Sequence, residues 1–145
     1  MLFWGVVARM FTSGAKKLWQ LGRWSSSLGF AFGVDSASKW EAEGGFGYGS
    51  SSIQVRGTLT LDVAYVLACV DTVAANSFVC ENGVDRTTLQ VGGALNNITA
   101  NGYIGKRTGT GENWIGAIAE LGIAFDTTDQ EVEQLEKYLK TFYGF

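Results

Sequence analysis

The sequence predicts an all-β fold, an antiparallel β-sandwich with one C-terminal α-helix. The apolar runs are short and rich in β-branched and aromatic residues, as strands require. The chain contains 20 Gly and no Pro, so Gly, Asn, Asp and Ser must form the turns. Strands that recur about every 8 to 12 residues between such turns are typical of a sandwich or barrel. The helix is predicted from helically spaced apolar residues near the C-terminus.

Length and composition indicate a single globular domain over residues 1–145. A chain of 145 residues can bury one proper core, whereas two domains would be cramped. Hydrophobic residues make up 46% of the chain and charged residues 17%, which excludes a disordered protein. No apolar run approaches the roughly 18 to 20 residues that a membrane-spanning helix needs. We therefore expect no membrane span.

The net charge of −3 is unevenly distributed along the chain. Residues 1–60 contain six Lys and Arg against three Asp and Glu, whereas residues 61–145 contain five against eleven. The basic residues of the first part are scattered and form no concentrated face of the kind that nucleic acid binding requires. The sequence therefore predicts no nucleic acid partner.

Ten strands are predicted from the apolar runs. They cover Leu2–Met10, Lys16–Trp24, Leu28–Val34, Lys39–Tyr48, Ser52–Val55, Ala64–Asp71, Ser77–Asn82, Val84–Leu89, Gly102–Lys106 and Trp114–Phe125. Asn82–Gly83 is the strongest local turn signal, because this pair tolerates the positive φ angles of a type I′ hairpin turn. We therefore expect a tight hairpin at this position.

The helix is predicted over about residues 128–142. Thr128 is a good N-cap, Glu131 completes a capping box, and Gly144 is a plausible C-cap. One apolar stripe follows at 3–4–3 spacing, formed by Val132, Leu135, Leu139 and Phe142. We expect this stripe to pack on the sandwich and the acidic face of the helix to point to solvent.

The tail from Trp114 to Gly144 reads WIGAIAELGIAFDTTDQEVEQLEKYLKTFYG. It resembles the end of concanavalin A-like, laminin G-like domains, in which a G-x-I-A-E strand leads through an Asp turn into a capped helix that ends in Y-L-x-x-x-Y-G. The matching positions are Gly116, Ile118, Ala119, Glu120, Asp126, Glu131, Tyr138, Leu139, Tyr143 and Gly144. The resemblance covers roughly residues 60 to 145 well and residues 1–60 loosely, and it implies a jelly-roll sandwich.

The chain departs from that family in its first part. Members often have several strands before the one that Leu2–Met10 resembles. Either this chain is a compact version, or a neighbouring chain completes the sheet, since an unpaired edge invites another strand. The second interpretation makes the protein an assembly component whose partners are other protein subunits, including copies of itself.

The His and Cys content of the chain limits which metal sites and catalytic sites it can form. The absence of His and the presence of only two Cys exclude the usual zinc and transition-metal sites and the His-dependent catalytic triads. Carboxylates are not clustered at calcium-ligand spacing. We therefore expect no metal and no cofactor. Cys69 and Cys80 lie in consecutive predicted strands, where small buried thiols are favoured over a cross-strand disulfide.

Glu41 and Glu43 form the pair of acids that could support glycoside hydrolysis. On a strand, residues i and i+2 point the same way about 6.5 to 7 Å apart, near the range of paired catalytic carboxylates. The catalytic motif of the family resembles E-x-D-x-x-E, and Gly45 and Phe46 follow where the last acid is needed. We therefore expect a solvated acidic strand or loop and no enzyme.

Sugar binding needs aromatic faces with a few amide, carboxylate or Arg groups in a shallow site. Five residues in or beside Gly- and Ser-rich stretches fit this description and are the candidate ligand-binding residues: Trp40, Tyr48, Arg56, Asn113 and Trp114. For Trp114 a core position is favoured over ligand contact. The remaining Trp residues lie within apolar strands and are expected in the core: Trp4, Trp19 and Trp24.

These observations predict a non-catalytic structural or adhesion module. We expect a surface component of a phage virion, such as a decoration or tail-fibre-associated protein, that presents a glycan- or protein-binding sandwich. The alternative is a secreted or cell-surface, lectin-like carbohydrate-binding domain with an extracellular location. A glycoside hydrolase is the least favoured interpretation.

Overall fold

The computed structural model describes residues 2–10, 16–23, 28–35, 37–44, 53–59, 64–93, 102–105 and 113–145. The strands in these ranges are β1 (Leu2–Met10), β2 (Lys16–Arg23), β3 (Leu28–Val34), β4 (Lys39–Gly44), β5 (Ile53–Thr58), β6 (Ala64–Cys69), β7 (Phe78–Glu81), β8 (Val84–Asp85), β9 (Thr87–Val91), β10 (Gly102–Ile104) and β11 (Gly116–Ala124). One helix, α1 (Asp129–Tyr143), follows the last strand. The described residues therefore confirm a mostly β chain with a C-terminal helix.

The strands form two antiparallel sheets. The five-stranded sheet has the order β11-β1-β6-β7-β8, and the six-stranded sheet has the order β10-β2-β3-β4-β5-β9. The first and last described strands are neighbours, with Leu2 opposite Ala124 and Met10 opposite Gly116. The pairing of β1 with both β11 and β6 ties the two ends of the chain into one sheet.

The two sheets pack face to face around a shared apolar core. Both sheets contribute fully or nearly fully buried side chains to it, as a β-sandwich requires. The buried members are Leu18, Phe30, Phe32, Val34, Trp40, Ala42, Val55, Ala64, Val66, Ala68, Val70, Val79 and Trp114. At one point the sheets approach so closely that a Cβ at Gly57 would lie 2.7 Å from Val79.

The five-stranded sheet is covered on both faces. Along β6, Ala64 and Val66 point into the core between the sheets, whereas Tyr65 and Leu67 point into a second apolar cluster beneath α1. That second cluster also contains Leu2, Val6, Cys80 and Leu139. A strand enclosed in this way has apolar residues on both faces, which explains its uninterrupted apolar sequence.

The predicted hairpin at Asn82–Gly83 is present between β7 and β8. Asn82 has φ 50° and Gly83 has φ 77°, so both turn residues have the positive φ that this turn needs. Glu81 lies directly opposite Val84. The Asn82 side chain also accepts a hydrogen bond from the backbone of Tyr65 at 2.9 Å, which fixes the turn against β6.

The prediction of one strand over Val84–Leu89 is wrong, because the chain changes sheets at Arg86. The β8 strand belongs to the five-stranded sheet and β9 to the six-stranded sheet. The Arg86 amide donates to Val79 O at 2.8 Å, and Arg86 O accepts from Thr58 N at 2.9 Å. Arg86 is therefore bonded to both sheets, and the chain turns a corner there.

The helix boundaries and caps are confirmed. The Thr128 side chain accepts from Glu131 N and the Glu131 side chain accepts from Thr128 N, while Gly144 has the left-handed conformation with φ 75°. Of the predicted stripe, Leu139 is fully buried, but Phe142 is 69% exposed. The stripe continues instead through Tyr143, four residues after Leu139, which packs into the second cluster.

Candidate functional site

The outer face of the six-stranded sheet carries a cluster of polar side chains, which we call the polar face. On β4, Trp40 and Ala42 point into the core, so Glu41 and Glu43 point outward. On β5, Val55 points into the core, so its two neighbours point outward. The polar face consists of Asp35, Glu41, Glu43, Gln54 and Arg56.

Strand register places the acids and their partners side by side. Glu41 lies directly opposite Arg56, and Glu43 lies directly opposite Gln54. On the other side of β4, Glu41 faces Gly33 and Glu43 faces Ala31. The residues that pair directly with the two acids on the β3 side are therefore small, Gly33 and Ala31.

Glu41 is the acceptor at the centre of the polar face. Its Oε1 accepts hydrogen bonds from Gln54 Nε2 at 2.8 Å and from Arg56 Nε at 2.9 Å. A terminal guanidinium nitrogen of Arg56 also lies 2.9 Å from the same oxygen. Charge-assisted hydrogen bonds of this kind are what allow a carboxylate to be buried.

Asp35 links the polar face to the turn between β3 and β4. Its Oδ1 accepts from the backbone of Ala37 at 2.8 Å and of Lys39 at 2.9 Å. Its Oδ2 lies 3.4 Å from Arg56 Nε. Asp35 therefore shapes the turn with one oxygen and pairs with Arg56 through the other.

The expectation that Glu41 and Glu43 are solvated is wrong. Glu41 is 5% exposed and Glu43 is 4% exposed, and Asp35 is similarly buried. By contrast, the Arg56 side chain is 37% exposed, and Gln54 is partly exposed. The exposed groups of the polar face are thus those of β5, and the buried carboxylate of Glu41 accepts hydrogen bonds from both of them.

Of the five predicted ligand-binding residues, the four that the structure describes do not share one exposed site. Trp40 is fully buried and lies between the rings of Phe32 and Trp114, with centroid distances of 6.1 and 6.5 Å. Trp40 therefore offers no surface to a ligand. Trp114 is 9% exposed and belongs to the same core, which confirms its favoured assignment.

Two of the other three predicted residues, Arg56 and Asn113, are described by the structure and lie outside the core. Arg56 belongs to the polar face, on the side of the six-stranded sheet opposite Trp40. Asn113 is exposed and precedes Trp114, whose amide donates to Gly105 O beside β10. Tyr48 lies outside the described residues.

Four polar-face residues were missed as ligand-site candidates: Asp35, Glu41, Glu43 and Gln54. The available signal was the alternation of polar with apolar residues in both Lys39–Gly44 and Ile53–Thr58. The sequence does not reveal the register between β4 and β5, and it is this register that places Glu41 opposite Arg56.

Another buried acid, Glu81, lies away from the polar face and connects the two sheets inside the core. The Trp40 indole Nε1 donates to Glu81 Oε1 at 3.0 Å. Arg86 Nε lies 3.6 Å from Glu81 Oε2, and the Glu81 side chain is fully buried. This contact joins β4 to β7 and positions Trp40, so its role is structural.

A third polar group, the Glu120 cluster, consists of Trp4, Glu120, Tyr138 and Tyr143. Trp4 Nε1 donates to Glu120 Oε1 at 3.0 Å, and the hydroxyls of Tyr138 and Tyr143 both donate to Oε2 at 2.9 Å. A Cβ at Gly122 would collide with the Trp4 ring. The cluster therefore ties β1 and β11 to the C-terminal part of α1.

The contacts of the Glu120 cluster raise the pKa of both tyrosine hydroxyls. Desolvation, followed by hydrogen bonding to Glu120, raises the pKa of the Tyr143 phenol to about 12. The hydrogen bond to Glu120 also raises the pKa of Tyr138. Both hydroxyls are therefore held as neutral donors.

The two cysteines are not paired with each other. Both are free, and Cys80 is buried. Strand register places Cys69 opposite Phe78 and Cys80 opposite Leu67. Burial, followed by the hydrogen bond to Glu136, raises the pKa of the Cys80 thiol to about 12. A thiol in this environment is a poor nucleophile.

The described residues contain no group of three or more His, Cys, Asp or Glu side chains placed to hold a metal ion. Within the same part of the chain, no helix has the length and hydropathy that crossing a membrane requires.

Comparisons with known proteins give no match. No family model matches the sequence, and neither the search of curated proteins nor the search of solved structures found a match.

Proposed function

We propose that this protein is a non-catalytic binding module that recognises a glycan through the polar face. The observation that carries the proposal is the difference between the two outer surfaces of the sandwich. The outer face of the five-stranded sheet is covered by α1, whereas the outer face of the six-stranded sheet presents Arg56 and Gln54, held by buried acids. A guanidinium and an amide fixed in place are typical groups for orienting sugar hydroxyls.

Preorganisation favours binding at this face. Arg56 contacts Glu41 and Asp35 at the same time, so little side-chain freedom remains to be lost when a ligand arrives. Fixing a rotamer-rich side chain on binding costs about 0.5 to 1.5 kcal/mol. Leu89 lies opposite Arg56 on β9 and is 39% exposed, which adds an apolar surface beside the charged group.

The same contacts support a binding role over catalysis. Glu41 Oε1 is engaged by both Gln54 and Arg56, and Glu43 is 4% exposed. A catalytic pair needs one acid to reach the glycosidic oxygen and another to reach the anomeric carbon or a water. Cleavage of polysaccharides by the wild type that is lost in Glu41→Gln or Glu43→Gln would contradict this part of the proposal.

The proposed setting is a larger particle, with the protein as a surface component of a phage virion. The fold we propose is the concanavalin A-like jelly roll. Its support is the sequence pattern of the tail, together with the contact between the Glu120 and Tyr143 of that pattern. The extracellular lectin-like domain is the alternative, and a monomer in solution would favour it.

Glycan binding is tested by an array screen followed by calorimetric titration of the strongest sugar. Arg56→Ala should weaken binding by about 10- to 100-fold, because hydrogen bonds to charged groups contribute about 1.5 to 3 kcal/mol. Gln54→Ala should weaken it less. Lys140→Ala, which removes a positive charge from α1, is the control and should bind as the wild type does. Equal binding by wild type and Arg56→Ala would refute the proposed site.

A further inference from the structure

Among the described sheet edges, β11 is the longest. Strands β8, β10 and β9 have two, three and five residues, whereas β11 has nine. Short edge strands are one way in which proteins avoid pairing with other chains. The outer edge of β11 has no partner strand among the described residues. A nine-residue edge of this kind can pair with a strand of another chain.

The β11 edge also lacks the usual protective residues. It contains no Pro, Lys or Arg, and Glu120 is its single charge. That carboxylate is occupied by Trp4 and two tyrosines on the α1 side. Gly116, Ala117 and Ala119 are exposed. The edge is therefore accessible and carries no charge that would repel an incoming strand.

An exposed aromatic surface lies next to this edge. Tyr138 is 43% exposed and Phe142 is 69% exposed, and their rings stack with centroids 5.6 Å apart. Tyr138 reaches Glu120 on β11, while Glu136 on the opposite side of α1 contacts Cys80 on β7. The aromatic side of α1 thus faces the open edge.

We propose that two copies of this chain pair antiparallel along β11. The two five-stranded sheets then form one continuous sheet, with both α1 helices on the same face. Tyr138 and Phe142 of each copy meet their counterparts across the two-fold axis. A second copy provides both a partner strand of the same length for β11 and an exposed aromatic surface on α1 for Tyr138 and Phe142 to contact. A two-fold pair is also closed, so assembly stops at two copies.

This inference deepens the assembly part of the proposed function, and it uses a surface separate from the polar face. The closing experiment is size-exclusion chromatography with light scattering over a range of concentrations. The wild type should have twice the chain mass of 15.6 kDa. Ala117→Lys and Ala119→Lys place a charge on the edge and should give monomers. Phe142→Ser should weaken the dimer at least tenfold.

Leu89→Lys is the matched control, because it places the same charge on the exposed β9 edge and should leave the dimer intact. Hydrogen exchange of the wild type supplies a readout without mutation. The β11 amides should become more protected as concentration rises. A wild-type monomer at every concentration, a dimer that persists in both Ala117→Lys and Ala119→Lys, or β11 protection independent of concentration would overturn the inference.

The two proposals can fail separately. A monomeric wild type that binds sugar through Arg56 overturns the dimer and leaves the polar face. A β11 dimer with no sugar binding overturns the polar face and leaves the dimer.

Discussion

The Tyr143 hydroxyl donates a hydrogen bond of 2.9 Å to Glu120 Oε2, joining the end of α1 to β11. Tyr138 donates to the same oxygen, and Trp4 donates to the other oxygen of that carboxylate. One side chain thus accepts bonds from the first strand and from the helix. Three residues of the strand–turn–helix tail, Glu120, Tyr138 and Tyr143, are therefore joined by hydrogen bonds.

Glu120→Ala should destabilise the protein by about 1 to 3 kcal/mol, because several donors lose their acceptor at once. Chemical denaturation with separate near- and far-ultraviolet circular dichroism measures the loss. Glu133→Ala, on the exposed side of α1, is the control and should change stability by less than about 0.5 kcal/mol. Equal stability of both variants would show that the Glu120 cluster does not hold the helix.

Alkaline pH should destabilise the fold through Tyr143. Its pKa is raised from 10.0 to about 12 in the folded protein, so the folded state keeps a proton that the unfolded state loses. Its stabilising contribution is fully present below pH 10.0 and is lost as the pH rises toward about 12. Tyr143→Phe should flatten the decline in melting temperature across this window, although Cys80 titrates there as well. An unchanged slope would contradict the assignment.

Glu81→Ala should be destabilising by about 1 to 3 kcal/mol, because it removes a fully buried acceptor from Trp40. The Trp40 indole would lose its acceptor, and Arg86 would lose its charge partner. Tryptophan fluorescence and denaturant unfolding measure the change. Glu81→Gln keeps an acceptor for Trp40 and should cost less than Glu81→Ala. The reverse order would contradict the role given to this contact.

Leu139→Ala should cost about 2 to 5 kcal/mol, as expected for a large buried aliphatic side chain. Phe142→Ala should cost far less when measured on the monomer, because Phe142 is 69% exposed. Thermal unfolding at low protein concentration compares the two variants. If Phe142→Ala were the more damaging change, the exposed position of Phe142 would be contradicted.

Local chemistry explains which parts of the fold could be predicted. The Asn82–Gly83 hairpin and the Thr128 capping box depend on residues within a few positions of each other, and both are present. The division of Val84–Leu89 between two sheets depends on contacts of Arg86 with Val79 and Thr58. Such long-range contacts leave no local pattern in the sequence.

The same distinction explains the candidate site. Trp40 is predicted from the sequence as a ligand-binding residue because it lies near a Gly-rich stretch. In the structure its indole donates to Glu81, which is 41 positions away in the sequence. The sequence allows Arg56 to be predicted as a ligand-binding residue, because it is a polar group near an aromatic residue. The sequence does not allow the partners of Arg56 to be predicted. The pairing of β4 with β5 decides that Arg56 meets Glu41 and that both acids of β4 are buried.

Nuclear magnetic resonance titration of the labelled protein with its best array sugar locates the binding surface residue by residue. We expect sugar-dependent shifts at the amides of Gln54 and Arg56 and at the Arg56 Nε–H, with no shifts at α1. Arg56→Ala should abolish these shifts at the same sugar concentration. Shifts confined to α1, or shifts that persist in Arg56→Ala, would contradict the assignment of the polar face as the binding site.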